Sequence, residues 1–205
     1  MKTFLDEIAE EIVNSKYPFE SIKVVVPNQR AILFLKQALA LQIQKPAFAP
    51  EILSVENFVE ELSTLTKVSP IDLTFEFYSA YQSVSEEKHR DSFDQFLGWA
   101  KVILSDFNEM DAHLVDVKTL FDFQLSLQEM TQWTKSEDQT YIIQNHMEFW
   151  RIMPALYEEL NQRLQEKQQG TLGFIFREAV ANLEFYLNQT NKYHYFVGFN
   201  ALNES

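Results

Sequence analysis

The sequence predicts an α/β fold in which helices dominate and a partial parallel sheet is interrupted by a large all-helical insertion. Three short runs are the predicted strands, at residues 22–26, 51–53 and 193–198, and the first and third of them are rich in β-branched or aromatic residues. The first run is largely apolar without alternation, and such a strand is typically covered on both faces, as in a parallel sheet. Apolar residues recur at helical spacing between the second and third runs, and this recurrence predicts the insertion.

Capping residues and prolines set the predicted helix boundaries in the first part of the chain. Thr3 and Asp6 form a capping box, which predicts a first helix. Asn28 caps the second predicted helix, which ends before Pro46, and Ser54 caps the third. Each of the first two predicted strands is therefore followed at once by a helix.

The character of the sequence changes at about Ser69, where strand-like runs disappear. Ser69 and Pro70 begin a helix, since a capping side chain is followed by a proline in the first turn. Gly170 is typical of a residue that ends a helix, and Thr171 of one that caps the next. From these signals we expect only helices between about residues 69 and 187.

The expected domains follow from this division. Residues 1–68 and 188–205 form the α/β part, and residues 69–187 form a helical insertion subdomain. Strand character returns only near the end of the sequence. Because a central strand is normally followed by a helix that covers its face, we expect the native chain to continue beyond Ser205.

The composition is that of a globular protein without a membrane span. Hydrophobic residues make up 46% of the chain, enough for one sizeable core or two smaller ones. No apolar run approaches the ~18 residues of a spanning helix. The acidic start is unlike a signal peptide and cysteine is absent, so we expect a cytoplasmic protein. The net charge of −13 disfavours strong binding of nucleic acid by the chain alone.

Two sets of residues resemble metal sites in composition but not in spacing. The acids around Met110 lack the glycine of a calcium loop, so we interpret them as a helix end followed by caps. The histidines show no pair at i, i+4, which a zinc site on a helix needs. The residues concerned are Asp106, Asn108, Glu109, Asp111 and Asp116, and His89, His113, His146 and His194. We therefore expect no metal site.

The junction between the first predicted strand and its helix carries the candidate site. Open parallel sheets bind ligands at the carboxyl ends of their strands, and Asn28, Gln29 and Arg30 lie at such an end with two amides and a guanidinium. A phosphate-binding loop needs glycines, and none precedes Gly98. Two interpretations stay open: a turn that contacts a ligand, or a helix cap followed by a surface arginine.

Four segments carry a resemblance to a known family. Residues 24–35 and 52–59 look like helicase motifs Ia and Ib, residues 195–204 occupy the place of the Walker B strand, and residues 104–116 look typical of AddB-like proteins. The first three segments together resemble the first motor domain of UvrD-type superfamily 1 helicases. The closer resemblance is to the inactivated helicase-like N-terminal part of AddB-like subunits of bacterial helicase–nucleases, which are PD-(D/E)XK nuclease family proteins.

The resemblance implies a RecA-like domain, because two strand–helix units, a helical insertion and a return to the sheet follow one another in that order. The ATP site of the helicases is missing from the sequence. A predicted helix over Thr3 to Ser15 stands in place of the glycine loop, and Gly198-Phe199 stands in place of the Walker B acids. We therefore expect neither catalysis nor a cofactor in these residues, and the family's nuclease centre would lie outside them.

The implied function is a non-catalytic, helicase-like N-terminal module of a DNA-repair helicase–nuclease, which supplies scaffold and part of a DNA channel. The motif positions imply nucleic-acid contacts by Asn28, Gln29, Arg30, Ser54 and Asn57, with DNA bound only in the full-length context. The implied partners are a helicase–nuclease partner subunit or further domains of the same chain, and no membrane. The alternative is an α-rich protein–protein interaction module with no role on DNA.

Overall fold

The computed structural model describes residues 2–43, 46–132 and 140–199, and for 127–132 and 140–148 it describes the backbone alone. The helices are α1 (Phe4–Val13), α2 (Gln29–Gln42), α3 (Val55–Ser63), α4 (Pro70–Val84), α5 (Phe93–Ala112), α6 (Val117–Gln132), α7 (Thr140–Glu166) and α8 (Leu172–Gln189). The strands are β1 (Ile22–Val26), β2 (Glu51–Ser54), β3 (Thr66–Lys67), β4 (Gln169–Gly170) and β5 (Tyr193–Phe196). Three parts of the sequence predictions lie outside the described residues: residues 44 and 45 at the predicted end of the second helix, the side chain of His146, and residues 200–205.

Three strands form a parallel sheet with β1 in the middle, in the order β2-β1-β5. Val24 of β1 faces Ile52 on one side and Tyr195 on the other. The predicted parallel sheet is therefore confirmed, as is the dominance of helices over strands. Because α4 to α8 lie between β2 and β5 in the sequence, the sheet is completed only after a long helical segment.

The predicted helix starts are confirmed by capping hydrogen bonds. Each capping side chain accepts a hydrogen bond from the backbone N–H three residues further along the chain. The capping residues are Thr3, Asn28, Ser54, Ser69 and Thr171. These local bonds explain why the sequence alone indicated where the helices begin.

Every residue of β1 is buried, as expected for a strand covered on both faces. Ile22, Val24 and Val26 belong to one hydrophobic cluster. Its other buried members from α1 and α2 are Ala9, Ile12, Leu35, Ala38 and Leu39. Burial of one large aliphatic side chain contributes about 1.5–3 kcal/mol, so this cluster holds both helices on the sheet.

Lys23 is the charged exception in β1, and its ammonium is paired inside the fold. The side chain is 4% exposed, and Nζ lies 2.6 Å and 2.8 Å from the two carboxylate oxygens of Glu61 in α3. Glu51, the first residue of β2, lies 3.4 Å from Nζ. Burial lowers the pKa of Lys23, but the interactions with Glu61 and Tyr186 outweigh it and raise the pKa above its ordinary value. The lysine is therefore charged and ties α3 to the sheet.

A second, two-stranded sheet corrects the prediction that residues 69–187 are only helical. β3 and β4 pair in parallel, with Lys67 facing Gly170. Gly170 is therefore a strand residue rather than the end of a helix, and the left-handed residue after α7 is Gln168, with φ 55°. Two-residue strands are too short for hydrophobic periodicity to indicate them.

The chain divides into two compact units. The first comprises the described residues up to Thr64 together with those from Glu178 onward, and it contains the three-stranded sheet. The second comprises Leu65–Arg177 and contains the β3–β4 pair and a larger hydrophobic cluster. The boundary between Arg177 and Glu178 falls inside α8.

A buried acid links three helices of the second unit. Asp111 in α5 is 1% exposed, and its Oδ1 accepts hydrogen bonds from the Tyr157 hydroxyl in α7 and, at 2.7 Å, from Nε of Arg177 in α8. Nη2 of Arg177 also donates to the carbonyl oxygens of Met110 and Val115. Burial raises the pKa of Asp111 although both side-chain partners lower it. Asp111 lies in the last turn of α5, as the predicted helix end requires, and it is also a buried link between helices, which the sequence did not indicate.

The other acids near Met110 agree with the predicted helix end. α5 ends at Ala112, and Asp116 accepts a hydrogen bond from the N–H of Thr119 at 3.2 Å, as a cap of α6 does. Asn108 accepts a hydrogen bond from the N–H of Gly173 at 2.8 Å and so joins α5 to the start of α8.

We expect Gly173→Ala and Gly98→Ala to change stability in opposite directions. A Cβ atom on Gly173 would lie 2.0 Å from the backbone oxygen of Asn108, whereas no atom lies within 4 Å of one on Gly98. Gly173→Ala should lower the free energy of unfolding by about 3 kcal/mol through overpacking. Gly98→Ala should raise it by about 0.4–1 kcal/mol, because alanine restricts the unfolded chain. Urea unfolding measures both, and equal effects would contradict the close approach of α8 to α5.

We expect Arg177→Leu to lower the free energy of unfolding by about 3–5 kcal/mol at pH 7, because it leaves a buried carboxylate without its cation. The folded-state pKa of Asp111 is already raised and should rise further in the variant. The loss of stability should therefore shrink as the pH falls through that value, since the protonated acid needs no counter-charge. Urea unfolding at pH 7 and pH 5 measures the difference. The control is Arg163→Leu, which removes a part-exposed i, i+4 ion pair with Glu159 and should lower the free energy of unfolding by about 0.5 kcal/mol. If the loss of stability in Arg177→Leu is the same at both pH values, Asp111 is not the group that Arg177 stabilises.

Candidate nucleic-acid interface

The candidate site lies at the carboxyl edge of the parallel sheet. β1 ends at Val26, and after Pro27 the cap residue Asn28 begins α2. β2 ends at Ser54, which itself caps α3. Val26 and Ser54 are register partners in the two parallel strands. The N-terminal ends of α2 and α3 therefore lie side by side at this edge.

Both helix ends carry a positive field. The first four N–H groups of a helix have no acceptor within the helix, and the helix dipole places partial positive charge there. Oδ1 of Asn28 accepts from the N–H of Ala31 at 3.0 Å, and Oγ of Ser54 accepts from the N–H of Asn57 at 3.4 Å. Because each cap satisfies one N–H group, further first-turn N–H groups remain for an anion at the edge.

A side-chain network joins the two helix ends. Nε2 of Gln29 in α2 donates to Oγ of Ser54 at 3.0 Å and to Oδ1 of Asn57. The Ser54 hydroxyl donates to the same Asn57 oxygen at 2.7 Å. Ser54 is only 2% exposed, whereas Gln29 and Asn57 are exposed. Ser54 therefore positions the two amides, and the amides face solvent.

Arg30 supplies the positive side chain of the site. It is exposed and forms no ion pair with any described residue. A cleft of about 420 Å³ at this edge is lined by Arg30 together with Pro27, Asn28, Gln29, Ser54 and Glu56. Glu56 places a carboxylate in the same cleft and reduces its positive potential. The cleft therefore offers one guanidinium, amide donors and two helix ends against one acid.

The structure brings the five residues predicted from the sequence to one sheet edge. Asn28, Gln29, Arg30 and Ser54 line the cleft, and Asn57 is held to Gln29 by a hydrogen bond. Glu56 was missed. It occupies the second position of the helix that Ser54 caps, and acids are common in the first turn of a helix, so its position was a signal that could have been used.

The two segments that the resemblance to helicases places at an ATP site have clear conformations. The predicted first helix is confirmed as α1, whose N-terminus is closed by the capping box of Thr3 and Asp6. Gly198, which follows β5, has φ 81°, a conformation that favours glycine. The cleft at the neighbouring strand ends holds hydrogen-bond donors and a cation, which are groups that can bind an anion.

Among the described residues, no three His, Cys, Asp or Glu side chains are grouped so that they could hold a metal ion. The helices in that part of the chain also lack the combination of length and apolar composition that a membrane span requires.

Comparison of the chain with protein-family models gives no match, and comparison with curated proteins gives none either.

We expect Ser54→Ala to lower the free energy of unfolding by about 2 kcal/mol, because it removes both the α3 cap and a buried link to Gln29. The matched control is Ser69→Ala, which removes the cap of α4 and should cost about 1 kcal/mol. Urea unfolding of the two variants measures the difference. Equal losses would show that the bond between the two helix ends adds nothing to stability.

Proposed function

We propose that this chain is a non-catalytic, helicase-like module that contacts the nucleic-acid backbone through the cleft at the carboxyl ends of β1 and β2. The observation that carries the proposal is the pair of adjacent helix N-termini with the exposed side chain of Arg30 in the same cleft. The proposed setting is a cytoplasmic DNA-repair helicase–nuclease, of which the chain forms the N-terminal part.

The chemistry of the cleft favours phosphate over base edges. Arg30 can form two parallel hydrogen bonds to phosphate oxygens, and helix N-termini bind such anions through their free N–H groups. Gln29 and Asn57 can add amide donors at the rim. Contacts of this kind fix position and orientation along a strand without reading its sequence.

The topology of the first unit supports the helicase-like part of the proposal. Two strand–helix units come first, and the third strand of the sheet follows a long helical segment. This is the order expected for a RecA-like domain with an inserted subdomain. With a helix in place of the glycine loop, the module is proposed to bind no ATP and to serve as scaffold for the rest of the protein.

Electrostatics limits what the chain can do alone. Its net charge is −13, and Glu56 lies in the cleft beside Arg30. At physiological salt we expect the isolated chain to bind DNA more weakly than the ~10⁻⁴ M end of non-specific binding. Positive potential from a partner subunit or from further domains of the same protein is therefore part of the proposal.

The test is a titration of labelled single-stranded DNA into the chain and into the full-length protein at several salt concentrations. In the full-length protein, Arg30→Ala should lower the affinity and reduce the salt slope by about 0.7, the loss expected for one phosphate contact on a single strand. Glu56→Gln should raise the affinity, because it removes the opposing charge.

The matched control for Arg30 is Arg151→Ala, which removes an exposed arginine from the second unit. The control should leave both affinity and salt slope unchanged. If Arg30→Ala behaves like the control, Arg30 is a surface arginine beside a helix cap and the proposed contact is wrong.

A further inference from the structure

α2 has an exposed apolar face as well as a buried one. Phe34 and Leu41 are 49% and 84% exposed, whereas Leu35 and Leu39 lie in the core around β1. Phe34, Gln37 and Leu41 recur at i, i+3 and i+7, so they form one stripe on the outer side of the helix. A single exposed apolar side chain is ordinary on a protein surface, but a contiguous set marks an interaction site.

The stripe forms one wall of a groove, and α1 forms the other. The groove has a volume of about 370 Å³. Phe4, which is 56% exposed, and Leu5 lie on the α1 side. The polar lining is limited to Thr3, Asp6 and Gln37, and the first two are bonded to each other in the capping box. Most of the groove is therefore apolar and open to solvent.

Two acidic side chains of α1 lie beyond the lining of the groove, on the side of the helix that carries Phe4. Glu7 and Glu11 follow Phe4 by three and seven residues, so they lie on the same side of α1 as that ring. Both are exposed and form no ion pair with a described residue, whereas Glu10 is paired with Lys2. The groove is therefore largely apolar, and the α1 helix beside it carries two exposed carboxylates, of which Glu7 interacts with Lys2.

We propose that this groove binds an amphipathic helix of a partner protein. The helix would place apolar side chains at i, i+3 or i+4 and i+7 in the groove, which is how grooves of this kind recognise helices. It would carry lysine or arginine on the flank that faces Glu7 and Glu11, because complementary charge favours that orientation. Of the cations of α2, Arg30 lies one turn before Phe34 at the end of the stripe, and Lys36 lies off it. Lys2 pairs with Glu10 and also interacts with Glu7, so among the described residues the acidic flank is matched only in part. The proposal does not depend on nucleic-acid binding.

Charge also argues against two other occupants. A second copy of the chain would bring its own Glu7 and Glu11 and a net charge of −13 to the contact. A membrane with anionic lipids would be repelled in the same way. The experiment includes measurements that would detect a second copy of the chain or a membrane surface as the occupant.

The test uses the chain itself and a labelled synthetic helix of about 18 residues, long enough to hold helical structure. The probe carries leucine at helical spacing on one face and lysine on one flank, and a second probe replaces the lysines with glutamate. Fluorescence anisotropy should show saturable binding of the basic probe and much weaker binding of the acidic one. Leu41→Ser and Phe34→Ser should each lower the affinity about tenfold, as expected when a central apolar anchor is lost.

The matched control is Leu187→Ser, which removes a 59% exposed leucine from α8 and should leave the affinity unchanged. The pair Glu7→Gln and Glu11→Gln should weaken binding severalfold and flatten its salt dependence. Circular dichroism confirms that the variants are folded, which is expected because all the substituted side chains are exposed.

Four results would overturn the proposal. The first is no binding of the basic probe, and the second is binding that Leu41→Ser and Phe34→Ser leave unchanged or that Leu187→Ser weakens equally. The third is a dimer in sedimentation that Leu41→Ser dissociates, which would make a second copy the occupant. The fourth is binding to phosphatidylcholine–phosphatidylserine vesicles that Leu41→Ser abolishes, which would assign the groove to a membrane surface.

Discussion

The charge of Lys23 at the centre of the sheet is the constraint on which the α/β part of the structure depends. An ammonium group taken out of water costs several kcal/mol unless it is paired, roughly the scale of a domain's whole stability. Glu61 supplies the pairing, and the ring centres of Phe58 and Tyr186 lie 5.9 Å and 5.5 Å from Nζ. Because Glu61 and Phe58 belong to α3 and Tyr186 belongs to α8, both helices must cover this face of the sheet for the charge to be tolerated.

The pairing of Lys23 also places the candidate site, because α3 takes part in both. Its C-terminal half carries Glu61 to the lysine, and its N-terminal end carries Asn57 to Gln29. The register of β1 links the ion pair to the candidate site. A slip of one residue would turn every side chain of β1 to the opposite face of the sheet. Such a slip would leave Lys23 among the apolar residues of α1 and α2 and would separate the helix ends that form the cleft. The site therefore depends on an ion pair at the other end of the sheet.

A histidine on the same face of the sheet responds to the same charge. His194 is the register partner of Lys23 in β5, and its Nε2 lies 2.8 Å from the Tyr186 hydroxyl. Burial, and then the charge of Lys23, lower the pKa of His194 below its ordinary 6.5. A group of this kind contributes stability above its ordinary pKa, and the contribution is lost as the pH falls through the lower folded value. The α/β part is thus built around a charged lysine and a neutral histidine.

The sequence by itself determined the strands of the main sheet, the helix starts and the turn that carries the candidate site. These features are local, because a cap acts three residues away and a buried strand shows as an apolar run. Tertiary structure decided the partners of the buried charges. Glu61 lies 38 residues from Lys23, and Arg177 lies 66 residues from Asp111. Tertiary structure also placed Gly170 in a strand, because its pairing partner Lys67 is distant in the sequence. No spacing along the chain indicates which distant residue will face a buried charge or a two-residue strand, because that choice is made only when the helices and sheets pack.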